Sequence, residues 1–219
     1  MSARGVFITG TDTGIGKTWA SCALLRGWRA HGLRACGMKP VASGCERTPV
    51  GLRNADALAL IAASDPQPDY ADCNPFAFAP AIAPHVAARL AQCEVDLDTL
   101  CVAHARIAAR CERIAVEGAG GWLAPFSESL SQAEVARALD LPVVLVVGIK
   151  LGAINHALLS ARAIQADGCT LAGWIANRID PAMEHADDTI ATIAQRIDAP
   201  LIGTLAWQER LPALDFDAH

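Results

Sequence analysis

Charge is scarce in this chain. Only 19% of its 219 residues are Asp, Glu, Lys or Arg, against 53% hydrophobic, a balance that excludes a disordered polypeptide. There is no basic run and the formal net charge is −5, which argues against nucleic acid as the main partner. Long apolar stretches are missing too: the longest, residues 141–149, spans nine positions, where a membrane-spanning helix needs ~20. No apolar leader followed by a small-residue cleavage site opens the chain, since Ser2, Ala3 and Arg4 run straight into a strand-like segment; a secretory signal is not expected, and the chain reads as cytosolic. The eight cysteines include no C-x-x-C pair and no Cys/His spacing of the zinc kind. Cys93, Cys101 and Cys111 lie in Ala-rich, helical-looking sequence, where free cysteine behaves as a small hydrophobe. Reduced packing residues are the reading preferred over a catalytic thiol, which no local feature singles out. Internal repeats, low-complexity tracts and linkers are also lacking, so residues 1–219 are expected to form one domain.

What the chain does have is alternation. Short apolar runs recur at 6–9, 35–39, 114–117, 143–147, 171–176 and 201–205. Between most of them lie segments of helical period, such as Ile154, Leu158, Ala161 and Ile164 with Gly168 following as a C-cap. Ser131 with Glu134 three residues on forms a capping-box pattern that opens another helix. Runs apolar at consecutive positions imply burial on both faces, the habit of parallel sheets covered by helices. The expected fold is therefore α/β, with a mostly parallel sheet of six to seven strands and helices on both faces. Residues 64–84, with five prolines, form a long irregular excursion that could be a functional loop.

The strongest chemical signal follows the first run. Gly10-Thr11-Asp12-Thr13-Gly14-Ile15-Gly16-Lys17-Thr18 leads into helical sequence over 19–29, beginning at Trp19. A strand, a glycine-bearing turn, Gly-Lys-Thr and a helix make a phosphate-binding loop, so the fold is P-loop NTPase-like. Glycines let backbone N–H groups turn toward phosphate oxygens, and the helix N-terminus adds roughly half a positive charge there. Lys17 brings a full charge to the β- and γ-phosphates, and the Thr18 hydroxyl is placed to ligate Mg²⁺. The usual first glycine is displaced by one residue, because Thr11 stands where it is expected.

Such a loop needs an acid at a neighbouring strand end to hold magnesium. Glu117, ending the run 114–117 before Gly118-Ala119-Gly120-Gly121, fits better as that ligand than as a solvent-facing strand end. Asp56, judged locally, is an ordinary dipole-compensating acid in the first turn of a helix. Lys39 ends the second strand before Pro40, and either points into the ligand crevice or snorkels at the surface. Ser43-Gly44 forms a turn or an anion-binding stretch of backbone. Asn177, at another strand end, pairs with an adenine edge or caps a helix.

Taken in order, these residues resemble a family. Gly10-Thr11-Asp12-Thr13-x-x-Gly16-Lys17-Thr18, Lys39-Pro40-Val41-x-Ser43-Gly44, Glu117-Gly118-Ala119-Gly120-Gly121, Lys150-Leu151-Gly152-x-Ile154-Asn155-His156 and Gly173-Trp174-Ile175-Ala176-Asn177 closely resemble dethiobiotin synthases, over about residues 5–205. The resemblance implies an ATP- and Mg²⁺-dependent ligase of biotin biosynthesis that joins CO₂ (or bicarbonate) to 7,8-diaminononanoate and closes a ureido ring through a carbamate and its phosphoric anhydride. It implies catalytic roles for Lys39, Lys17 and Thr13. It assigns ATP to Gly14, Ile15, Gly16, Lys17, Thr18, Trp19, Asp56, Glu117, Gly118, Ala119, Gly120, Asn177 and Arg178, and the metal to Thr18, Asp56 and Glu117, which reverses the local reading of Asp56. The substrate falls to Ser43, Gly121 and Asn155, the last approaching from the partner chain of a homodimer. Departures are Gly14, where some relatives carry an acid, Ala206, where proline is expected, and residues 187–189, where a tyrosine is expected. A dimerising switch ATPase of the partition or septum-placement type is the alternative, although such proteins usually carry a further lysine where Thr11 or Asp12 stands.

Overall fold

The computed structural model describes residues 4–206 and 212–216. In chain order the elements are β1 (Arg4–Gly10), α1 (Lys17–Ala30), β2 (Ala35–Met38), β3 (Val41–Ala42), β4 (Glu46–Thr48), β5 (Gly51–Arg53), α2 (Ala55–Ala63), α3 (Tyr70–Cys73), β6 (Phe76–Ala77), α4 (Pro84–Leu90), α5 (Leu97–Ala108), β7 (Arg113–Glu117), α6 (Gln132–Ala138), β8 (Val143–Ile149), α7 (Ala153–Ala166), β9 (Leu171–Arg178), α8 (Ala186–Ala194) and β10 (Leu201–Leu205). The six apolar runs read from the sequence are the six strands of one parallel sheet, in the order β10-β9-β8-β1-β7-β2.

Strand alternation divides the core in two. Phe7, Ile114, Val116, Val143, Leu145 and Trp174 face one layer, with α5, α6 and α7 over them. Val6, Ile8, Ala115, Val144, Val146 and Ile175 face the other, under α1 and α2. Every residue of β8 is buried, as expected for a strand covered on both faces. Ser131 and Glu134 do form the capping box that opens α6.

The helix after the phosphate loop begins at Lys17, two residues before Trp19, because Gly16 adopts a left-handed N-cap and lets the chain enter the helix at once. Cys93 is not a packing residue: it is exposed beyond α4, whereas Cys111 is buried and Cys101 half-buried. All eight cysteines are free. The excursion over 64–84 contains one helical turn, α3, and the short strand β6, which pairs with β3. Among the described residues no helix is long and apolar enough to cross a membrane.

The strand order decides where ligands go. The chain passes from β1 through α1 to β2, leaving a gap that β7 later fills. Ligands of such sheets bind beyond the carboxyl ends of the strands where the order reverses. That edge carries the phosphate loop after β1, Lys39 after β2 and Glu117 at the end of β7.

Candidate active site

Because β7 lies between β1 and β2, Glu117 sits between the phosphate loop and Lys39. It is fully buried, and three side chains meet its carboxylate. The Thr18 hydroxyl donates to Oε1 at 2.8 Å, the Ser21 hydroxyl lies 2.8 Å from Oε2, and Lys39 Nζ is 2.5 Å from Oε1. Lys39 Nζ also lies 3.1 Å from Asp56 Oδ2 and 3.2 Å from the Gly118 carbonyl. Asp56 reaches this point because Asn54 caps α2, its side chain accepting from the Ala57 N–H. The acid that looked like a routine helix-dipole partner therefore meets a buried lysine.

Lys39 is no surface lysine: it is buried, and its charge is sustained by its neighbours. Burial disfavours the ammonium, but the Glu117 and Asp56 carboxylates outweigh it and hold the pKa above the usual lysine value. Lys17 goes the other way. Burial first, and the Lys39 charge second, outweigh the nearby acids and bring it down to about 8. Burial would raise the Asp56 carboxyl, yet Lys39 and the Thr18 hydroxyl hold it below the ordinary range. The sequence contains three lysines, at 17, 39 and 150, and all three stand at this edge. Lys17 Nζ donates to the Asp12 carbonyl at 2.9 Å, and Lys150 Nζ lies 3.4 Å from Asp12 Oδ2.

A cleft of about 360 Å³ opens over these groups, and Thr13, Gly14, Gly16, Lys17, Thr18, Lys39, Ser43, Asp56, Glu117, Ala119 and Gly120 all line it. A neighbouring hollow of about 250 Å³ is lined by Gly14, Gly16, Trp19, Asn177 and Arg178, with Ala206. Ile15 is buried and contributes backbone: its carbonyl accepts from Asn177 Nδ2 at 2.7 Å. Asn177 lies within β9 and is no helix cap. A Cβ on Gly16 would come within 2.1 Å of that same Nδ2, so glycine there serves close approach as well as its φ of 85°. Gly121 stands beside the phosphate loop. Asn155 is exposed in the first turns of α7 and lines neither space. A larger groove of about 890 Å³ runs along α1 and α2, but apart from Thr18 at its edge it shares none of the converging lysines and acids. Size does not mark the site here.

Among the described residues no three acidic, histidine or cysteine side chains cluster as a metal site. The oxygen set that does converge, one hydroxyl and two carboxylates, suits a hard cation such as Mg²⁺. The Lys39 ammonium seated between those carboxylates marks the position as one that takes positive charge.

Two supports escaped the sequence reading. Tyr70 Oη accepts from the Asn54 N–H at 2.7 Å and donates to Asn74 Oδ1, whose amide in turn donates to the Lys39 carbonyl at 2.7 Å. The irregular excursion thus ties the Lys39 and Asp56 segments together through the chain's single tyrosine. Gln132, fully buried in α6, directs its Nε2 at the carbonyls of Ala119, Gly121, Trp122 and Ala124. It packs so close that a Cβ on Gly118 would fall 2.0 Å from its Oε1. Gln132→Leu deprives those carbonyls of their donor, and a loss of about 1–3 kcal/mol in stability is expected. Thermal denaturation checks this, and an unchanged melting temperature would contradict the clamp.

A family model described as an AAA domain matches residues 4–213. The ATP-dependent dethiobiotin synthetase BioD of Xanthomonas euvesicatoria is 55% identical over 208 residues, covering 95% of this chain and 93% of that protein. The protein of the same name from Xanthomonas campestris strain ATCC 33913 is 55% identical over 219 residues, covering 100% and 98%. That of Xylella fastidiosa is 51% identical over 205 residues, covering 94% and 91%. Among solved structures, the MinC:MinD cell division protein complex of Aquifex aeolicus superposes with a TM-score of 0.58 at 15% identity, over 93% of this chain and 81% of that one. The signal recognition particle receptor FtsY of Elizabethkingia anophelis, in complex with GDP, gives 0.55 at 15% identity, over 100% and 61%. At that identity the two structures speak for the fold alone, a P-loop NTPase-like one.

Proposed function

The chain belongs to the ATP-dependent dethiobiotin synthetase family, and from that premise we propose how its cleft carries out the chemistry. As a member it is an ATP-dependent ligase that forms dethiobiotin in biotin biosynthesis. The single observation that carries the residue assignments is the meeting of Lys17, Thr18, Lys39, Asp56 and Glu117, from four separate segments, over one cleft.

In the proposed sequence one amine of 7,8-diaminononanoate attacks CO₂, forming an N–C bond and shedding a proton to give a carbamate. A carbamate oxygen then attacks the γ-phosphorus, and ADP leaves. The second amine attacks the carbonyl carbon of the mixed anhydride, closes the ureido ring and expels phosphate. Phosphorylation is needed because the carbamate would otherwise have to expel oxide. No protein nucleophile enters this scheme. The protein supplies position, worth up to ~7–11 kcal/mol for well-oriented groups, and charge where charge develops.

Lys17 and the backbone N–H groups of Gly14 to Thr18 bind the β- and γ-phosphates, and Thr13 stands at the mouth where γ-phosphate and carbamate meet. Lys39 offsets the negative charge of carbamate and anhydride. Ser43 and Gly121 border the diamine, and Gly118, Ala119 and Gly120 shape the wall between nucleotide and substrate. Thr18, Asp56 and Glu117 would hold Mg²⁺, which when bound screens the phosphate charge. Ile15, Trp19, Asn177 and Arg178 frame the space for the base. A homodimer belongs to the same proposal: Asn155 lies on an exposed face of α7 near Leu151 and Leu159, which are 94% and 56% exposed, and from there it would serve a partner's cleft. One ATP-binding unit over residues 1–219 and a cytoplasmic setting, with which eight free cysteines agree, complete it.

The test is ATP turnover with and without the diamine and bicarbonate. Phosphate release is expected only when both are present. Release that ignores both would instead favour the switch-ATPase alternative, whose members share this fold.

A further inference from the structure

Lys39 is seated where a metal ion would have to be. Three oxygens surround its ammonium: Glu117 Oε1 at 2.5 Å and the Gly118 carbonyl at 3.2 Å accept hydrogen bonds, and Asp56 Oδ2 pairs with it at 3.1 Å. The Thr18 hydroxyl donates to the same Glu117 oxygen at 2.8 Å. One oxygen of each carboxylate expected to ligate magnesium, Glu117 Oε1 and Asp56 Oδ2, is therefore already engaged by the ammonium. Mg²⁺ requires oxygens at about 2.0–2.1 Å in near-octahedral array, so a divalent ion drawing on Glu117 Oε1 and Asp56 Oδ2 has to displace this ammonium from them. Lys39 is buried and yet lines the cleft alongside Ser43 and Thr13, which gives its side chain a direction in which to withdraw.

We infer that Lys39 is a built-in counter-ion of the metal site: it excludes divalent ions from Asp56 and Glu117 until nucleotide phosphates add ligands, and it then turns into the cleft. The same exchange that fills the site would deliver an ammonium to the place where carbamate and anhydride carry negative charge. Nucleotide loading and readiness for carboxylate chemistry are coupled through one side chain. This rests on the reading of Thr18, Asp56 and Glu117 as metal ligands.

Mn²⁺ titration followed by electron paramagnetic resonance tests it without turnover. Wild-type protein without nucleotide is expected to bind Mn²⁺ weakly, and Lys39→Met, which keeps the stem and removes the charge, at least tenfold more tightly. Lys39→Arg, which keeps the charge, should stay weak. Lys39→Met binding no tighter than wild type, while ADP still creates a metal site in both, overturns the exchange and leaves the ligand assignment standing. Mn²⁺ binding in neither form with ADP present, or binding indifferent to Glu117→Gln, overturns the ligand assignment and the exchange with it. A second measurement covers poor folding of the variant. With only three lysines in the chain, ¹⁵N-lysine NMR of the wild type resolves the Lys39 ammonium, assigned through Lys39→Arg. Its resonance must move when Mg²⁺ and ADP are added together; a fixed resonance refutes the withdrawal.

Discussion

Lys39→Ala is expected to lower kcat by about 10²–10³-fold, the usual cost of removing one preorganised charge or donor from a reacting centre, while leaving affinity for ADP in the absence of divalent ions within about threefold of wild type, because the uniform part of binding is made elsewhere. The asymmetry follows from position. Lys39 reaches the cleft from the end of β2, next to Ser43, whereas the phosphate loop is built from β1 and the start of α1. Glu117 loses its ammonium in this variant but keeps the hydroxyls of Thr18 and Ser21, so the fold is expected to survive. Steady-state turnover with saturating diamine and bicarbonate, set beside calorimetric ADP binding, makes the comparison. Equal losses in the two quantities would show that Lys39 serves the nucleotide and not the carbamate.

Lys17→Ala should damage both quantities. A charge-assisted hydrogen bond contributes ~1.5–3 kcal/mol, so nucleotide affinity is expected to fall roughly 10–100-fold, and turnover to fall further because γ-phosphoryl charge is left unbalanced. Intact affinity would remove the phosphate loop from the account. A pH signature goes with it. Burial, helped by the Lys39 charge, depresses the Lys17 pKa to about 8 in the free protein, and bound phosphate must raise it. Below pH 8 Lys17 is already protonated and affinity is flat. Above it, binding must take up a proton, and affinity should fall by about tenfold per pH unit until the bound-state pKa is reached. Calorimetric titration between pH 7 and 9.5 reads this slope, which Lys17→Ala should lack.

How much of this was legible beforehand depended on range. The six sheet strands were readable because a strand covered on both faces is apolar at successive positions, as β8 is throughout. The two short pairs, β3 with β6 and β4 with β5, were not: elements of two or three residues have no period to read. Cys93 misled because Ala-rich composition resembles a helix, while the chain had already left α4. Asp56 was ambiguous for a better reason. An acid in the first turn of a helix looks the same whether it faces solvent or a buried lysine 17 residues before it in the chain. Tyr70, Asn74 and Gln132 carried no motif at all, since their work is to hydrogen-bond the backbone of other segments.

The order of residues alone determined the phosphate loop, the parallel α/β sheet and the family. Each is written in neighbouring positions: glycines that free the backbone, apolar runs that demand burial, short motifs in a set succession. Tertiary structure alone decided that β7 enters between β1 and β2, and so that Glu117, Lys39 and Asp56 share one point. Electrostatic energy depends on separations of a few ångströms between groups as many as 99 residues apart, and no local pattern encodes those. The depressed Lys17, the sustained charge of Lys39 and the contest between ammonium and metal all come from that convergence.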